Sequence, residues 1–171
     1  MTRRDPDPGR AAVSRSVGRG FDPDRLRRER LAEEGTLRHA AGLPEIEIAD
    51  LARLTGVSPT AIYNWESRLR APHATLLKAV ADELNVPMDV LVVVAPEKRT
   101  LADLRWLAGM FQTGVATQLG ITTQTYGRIE RGNRAIGKDL AIALAKLYDV
   151  EVDVIDAAWQ RAHRRPAGAK A

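Results

Sequence analysis

The chain has 171 residues, 44% of them hydrophobic, a formal net charge of +4 and no cysteine. Disulfides and thiolate sites are excluded, and His39, His73 and His163 are too scattered to form a metal set, so no cofactor is expected. No run approaches the roughly 18 apolar residues of a membrane span, and the first residues lack the apolar stretch of a signal peptide, so a cytoplasmic chain with no membrane partner is expected.

The charge is unevenly spread. Residues 1–20 carry five Arg against two Asp, and residues 161–171 carry four basic groups and no acid. The 140 residues between them hold 17 basic against 20 acidic groups. Segments 1–20 and 162–171 are basic and poor in large apolar groups, so both are expected to be disordered tails.

A helix is predicted from Asp22 and Pro23, a cap and a first-turn residue. Gly35 is expected to end or bend it. Arg25 with Glu29, and Arg30 with Glu34, are spaced as i,i+4 pairs on a solvated face, with Leu26 and Leu37 as the apolar contacts. Further helices are predicted over 36–41, from Pro44 to Leu54, from Pro59 after the cap Ser58, over 75–84 and over 87–94. The run Val90-Leu-Val-Val-Val94 also suits a strand. Pro96 interrupts any continuous helix across 95–99, which reads as a linker. Helices are then predicted over 100–109, 112–119, 123–131, 138–148 and 152–162, the first with Leu101, Leu104 and Leu107 as its buried stripe.

The second half repeats the first. Gly56-Val-Ser-Pro-Thr-Ala-Ile-Tyr-Asn-Trp-Glu66 aligns without a gap on Gly120-Ile-Thr-Thr-Gln-Thr-Tyr-Gly-Arg-Ile-Glu130, an offset of 64 residues. The offset continues through Ala52 and Ala116, Leu76 and Leu140, Ala81 and Ala145, Val86 and Val150, and even Thr36-Leu37 and Thr100-Leu101. Two copies of one small domain follow, at 21–94 and 100–161, and such small domains are expected to touch or to share a dimer interface. Segment 21–35 finds no match at that offset, so it is expected to be an added packing or dimer element.

Within each copy, glycine, an apolar residue and a hydroxyl make a corner between two helices. Ser58 and Thr122 are N-cap candidates. Ile62 and Trp65, and Tyr126 and Ile129, fall on the inward face. The outward face of the second copy holds Thr123, Gln124, Gly127, Arg128 and Arg131, with no carboxylate, which is chemistry that suits base edges in a major groove. Glu66 and Glu130 are expected to pair with an Arg or to accept backbone hydrogen bonds. No phosphate loop, nucleophile with its base, or set carboxylate pair is visible, so an enzyme is not expected.

These corners, with Leu51-Ala52 and Gln112, Val115-Ala116 ahead of them, resemble the phage-repressor and Cro type (XRE-type) helix-turn-helix family. The resemblance covers about 36–94 and 100–160. It implies an all-α chain of two tandem five-helix domains of the lambda-repressor kind, and double-stranded DNA as the partner. It implies that the helix after each corner enters the major groove. By position, Pro59, Thr60, Tyr63 and Asn64 of copy 1, and Thr123, Gln124, Gly127 and Arg128 of copy 2, would face bases, the alternatives being a plain surface aromatic at Tyr63 and ordinary solvated polar residues at Asn64, Gln124 and Arg128. Ser58, Arg68, Arg70, Gln112, Thr122, Arg131 and Arg134 would lie near phosphates. Ile48 stands where copy 2 has Gln112, and Arg68 where it has Gly132. The 1–20 tail is alternatively a basic arm along phosphates.

The implied function is sequence-specific transcriptional regulation. The rival is an adaptor or antitoxin holding a protein partner, or a homodimer, through acidic surfaces of the fourth and fifth helices: Asp82, Glu83 and Asp89, and Asp149, Glu151, Asp153 and Asp156.

Overall fold

The computed structural model describes residues 20–165; most of both expected tails lies outside them. Eleven α-helices run through the described residues. Copy 1 supplies α1 (Pro23–Arg30), α2 (Leu37–Ala40), α3 (Ile48–Thr55), α4 (Pro59–Glu66), α5 (Ala74–Glu83) and α6 (Met88–Leu91). A 3-10 turn, Pro96–Lys98, leads to copy 2, with α7 (Leu101–Leu107), α8 (Gln112–Gln118), α9 (Thr123–Glu130), α10 (Lys138–Tyr148) and α11 (Val152–His163). No strand forms among them. Val92 is extended and makes one antiparallel bridge with Phe21, so the valine run is a helical turn followed by a short extended stretch.

The caps explain several of these ends. Asp22 accepts from the backbone of Asp24 and Arg25 at the start of α1, and Ser58 accepts from Ala61 at the start of α4. Thr100 and Asp103 form a reciprocal capping box on α7. α3 begins at Ile48, later than expected from Pro44, after an extended Glu47.

Each copy has its own core. Leu26, Leu51, Ile62, Leu77, Leu84 and Leu91 are fully buried in the first, and Leu101, Val115, Tyr126, Leu144 and Ile155 in the second. Burying a Leu or Ile side chain is worth about 1.5–3 kcal/mol before entropy is counted, so these groups carry the fold.

The expectation that 21–35 lacks a counterpart is wrong. α1 corresponds to α7. The Ile46 N–H donates to the Arg30 carbonyl at 2.9 Å, and the Met110 N–H donates to the Arg105 carbonyl at 3.1 Å. In return, Arg30 Nη1 donates to the Ile46 carbonyl and Arg105 Nη1 to the Met110 carbonyl, each at 2.9 Å. Ile46 and Met110 keep the offset of 64, but Arg30 and Arg105 are 75 apart. The insertion is therefore between them, and it holds α2.

The solvated pairs expected on α1 are corrected too. Glu29 is buried and accepts from the backbone of Leu37 and Arg38 at the start of α2. Arg30 is buried against Glu66. α1 stops at Arg30, well before Gly35, and Leu37 is 48% exposed. α2 is anchored instead by Arg38, whose guanidinium donates to the Leu84 carbonyl at 2.8 Å, at the C-terminal end of α5. A cation suits that end of a helix.

The copies touch. Trp106 of α7 is buried in the core of copy 1, and Leu107 is half-buried against the same core, not in the stripe expected for it. Thr75 of α5 donates to the Gly109 carbonyl at 2.9 Å. Arg99 in the 95–99 segment donates to the Val94 carbonyl, and Arg161 donates to the Arg99 carbonyl at 2.7 Å. The linker is thus bonded to both copies.

Candidate nucleic-acid interface

The two corners are built alike. Gly56 and Gly120 take left-handed φ values of 71° and 64°, which carry the chain out of α3 and α8. Val57 is buried and Ile121 half-buried under the corner. Ser58 and Thr122 then cap α4 and α9, with the hydroxyl oxygens accepting from Ala61 and Thr125 at 3.2 and 3.1 Å. The inward faces are as expected: Ile62, Trp65, Tyr126 and Ile129 are all buried.

The outward faces differ in character. On α4, Pro59 and Thr60 are exposed, Tyr63 is 58% exposed, and Asn64 is half-buried. On α9, Thr123, Gln124 and Arg128 are exposed side by side. Gly127 does not present an open face, contrary to its assignment among the base-facing positions. It is buried, and a Cβ there would lie 3.2 Å from Arg131 Nη1. The Arg131 guanidinium folds back one turn and lies across the glycine, since long helical side chains lean towards the N-terminus.

Several basic positions have defined intramolecular roles. Arg68 pairs with Asp24 of α1 in an exposed ion pair, and takes φ 60° where copy 2 has Gly132 at φ 75°. Gln112 departs from the expected outward amide: its Nε2 donates inward to Glu130 Oε2. Arg70, Arg131 and Arg134 are exposed, and the Arg134 carbonyl accepts from Trp159 Nε1 at 3.0 Å.

Beneath α9 lies a buried polar cluster. Arg105 Nε is 2.7 Å from Glu130 Oε1, and Arg30 Nε is 2.7 Å from Glu66 Oε1 in copy 1. Burial alone lowers the Arg105 value, and the adjacent Glu130 charge reverses this and raises it. The Tyr126 and Tyr148 hydroxyls are 2.6 Å apart, and burial holds both above the ordinary tyrosine value. The glutamates expected to pair inside the domain do so. The two ion pairs tie the ends of α4 and α9 to α1 and α7.

The helix-turn-helix family model matches residues 44–91 and again 101–155, more than half of the chain. The chain belongs to the helix-turn-helix family, in two tandem copies. No curated protein and no solved structure matches it. Helix-turn-helix domains suggest DNA binding, and members are typically not enzymes. Among the described residues no group of His, Cys, Asp or Glu is placed to hold a metal, and no helix is long and apolar enough to cross a membrane.

In this helix-turn-helix chain, the structure brings Thr123, Gln124, Arg128 and Arg131 onto one surface and leaves Gln112 turned away from it. Two features were not anticipated from the sequence. His73, which N-caps α5 beyond the α4 loop, lies against Phe111, which N-caps α8, with ring centroids 6.1 Å apart. The close approach at Gly109 was also missed: a Cβ there would meet Lys78 Cβ at 2.5 Å. A Gly after a helix is the one sign the sequence carries, and here it takes φ 69°.

Proposed function

We propose that this chain is a sequence-specific, double-stranded DNA-binding transcriptional regulator that reads bases with α9 and, secondarily, with α4. The observation that carries this is the α9 surface. It sets an amide, a hydroxyl and a guanidinium in the open, at Gln124, Thr123 and Arg128, on the helix that follows the turn. An amide pairs bidentately with adenine and a guanidinium with guanine. Thr60, Tyr63 and Asn64 form the weaker α4 surface. Ser58, Arg68, Arg70, Thr122, Arg131 and Arg134 flank the two surfaces and position the phosphates, which carries no sequence information by itself.

Seven exposed acids help orient the chain. Asp82, Glu83, Asp89, Asp149, Glu151, Asp153 and Asp156 are all exposed on or beside α5, α6, α10 and α11, and none lies on α4 or α9. Phosphates would be repelled there and tolerated at the reading faces.

Selection of bound sequences from a random duplex pool tests the reading. A defined motif is expected, lost in a Gln124→Ala, Arg128→Ala double variant. With about six phosphate contacts, affinity falls roughly 10³-fold between 50 and 200 mM salt. The selected motif placed at a promoter should change reporter expression with the parent and not with the double variant. Equal binding of all duplexes, or unchanged regulation by the double variant, would favour an adaptor that holds a protein partner.

A further inference from the structure

We infer that the two copies lie on DNA head to tail, so that one chain reads two half-sites in the same orientation, not an inverted pair. The inference rests on the DNA-reading role proposed above and concerns the geometry of its target.

The contact between the copies joins unlike surfaces. α5 of copy 1 packs on α7 of copy 2. Since α1 is the counterpart of α7 and α10 that of α5, a two-fold axis would also place α10 on α1. Instead α10 packs on α7 and α11, and α1 on α2, α4 and α6, each within its own copy. The contact is heterologous, and a heterologous contact generates no dyad. Ordinary helix-turn-helix dimers read palindromes because their two-fold axis matches one in the site. That match is missing within this chain.

The seam also fixes the order. In each copy the start of the helix before the corner is a leading rim, and the loop after the reading helix is a trailing rim. His73 ends the trailing rim of copy 1, and Phe111 begins the leading rim of copy 2. Their rings meet, and both side chains are exposed. Thr75 and Lys78 against Gly109 close the contact behind them. Tail therefore meets head, and the order along the duplex is α4, seam, α9.

The chain contains no cysteine, so a single one can be introduced and tagged. Leu69 and Asn133 are equivalent exposed positions in the two trailing rims. Their backbone N–H groups donate to Asn64 and Arg128 carbonyls at 2.9 and 2.8 Å, which a side-chain change leaves intact. Leu69→Cys and Asn133→Cys proteins would each carry an iron chelate that cuts nearby DNA, on a duplex bearing the selected motif. The expected result is two cleavage patches displaced in the same direction from their half-sites. Patches that both fall at the centre, or both at the outer ends, would mean an inverted arrangement and overturn the inference while leaving DNA reading intact. Cleavage beside one half-site alone would overturn it as well. A pool that returns no motif would remove the DNA-reading role itself, and this inference with it.

Discussion

Arg105 and Glu130 meet in the interior of copy 2, with Nε 2.7 Å from Oε1 and both side chains about 95% buried. Gln112 donates to the second carboxylate oxygen, and the Arg105 Nη1 donates to the Met110 carbonyl. One carboxylate at the end of α9 thus fixes the last turn of α7 and the start of α8 relative to α9. Removing one member of a buried pair strands the other charge and costs about 3–5 kcal/mol, whereas replacing both with apolar groups is often neutral. Glu130→Gln is therefore expected to lower the unfolding free energy by that amount, read as a lower denaturant midpoint at an unchanged slope. An Arg105→Met, Glu130→Met double variant is expected to recover most of it. A loss below about 1 kcal/mol for the single variant would show that the pair does not hold the helices.

The same pair shows where the sequence was readable and where it was not. Glu66 and Glu130 lie in the aligned stretch, and their inward role follows from position on the helix. Their partners do not. At an offset of 64, Thr36 stands opposite Thr100, and each does cap a helix, α2 and α7 respectively. A threonine hydroxyl caps the helix at both, so the alignment looks continuous. Only the tertiary partners reveal that Arg30, 75 residues before Arg105, fills the equivalent place. Likewise the outward position of Gln124 and Arg128 follows from helical spacing. The inward turn of Gln112 and the covering of Gly127 by Arg131 depend on side-chain partners that no periodicity encodes.

Gly132 and Arg68 occupy the same left-handed turn after α9 and α4. A Cβ at Gly132 would lie 2.4 Å from the His163 backbone nitrogen, which cannot retreat without moving the end of α11. A non-glycine residue in this conformation also costs about 1–2 kcal/mol. Gly132→Ala is expected to lose more than about 2 kcal/mol by chemical denaturation. Arg68→Gly relieves the same conformational cost and forfeits only an exposed ion pair worth about 0–1 kcal/mol, so stability should stay within about 1 kcal/mol of the parent. If Arg68 meets a phosphate, the same variant lowers the salt slope of DNA binding by about one. A Gly132→Ala protein as stable as the parent would contradict the close packing of α11.

The Tyr126 and Tyr148 hydroxyls give the fold an alkaline limit. Burial, then the Tyr148 and Glu130 neighbours, hold the Tyr126 hydroxyl well above its usual 10.0. Burial likewise raises Tyr148, against the opposing effect of its hydrogen bond with Tyr126. In the unfolded chain both ionise near pH 10, while the folded state keeps its protons. The stabilisation is fully present below that pH and is lost as pH rises towards the folded values. The melting temperature is expected to be insensitive to these groups at neutral pH and to fall above about pH 10. A Tyr126→Phe, Tyr148→Phe protein should fall less steeply there, which parallel melts from pH 8 to 11 would measure. Superimposable alkaline profiles would place the loss on other groups.

Trp106 is expected to make the two copies one cooperative unit. It belongs to α7 of copy 2 but is 3% exposed within the core of copy 1, beside the Thr75 to Gly109 bond. Small domains bury too little surface to be robust alone, so a large side chain shared across the boundary couples their unfolding. The parent should melt in one transition by calorimetry. Trp106→Ala leaves a cavity in the neighbouring copy and costs about 3–5 kcal/mol. Hydrogen exchange should then speed up first in α4 and α5, whose core loses the indole, and less in α9 and α10. Gly109→Ala tests the same boundary from the backbone side, since its Cβ would meet Lys78 Cβ at 2.5 Å and its φ is 69°. Two separate transitions in the parent, or uniform exchange changes in Trp106→Ala, would mean that the copies fold independently despite their contact.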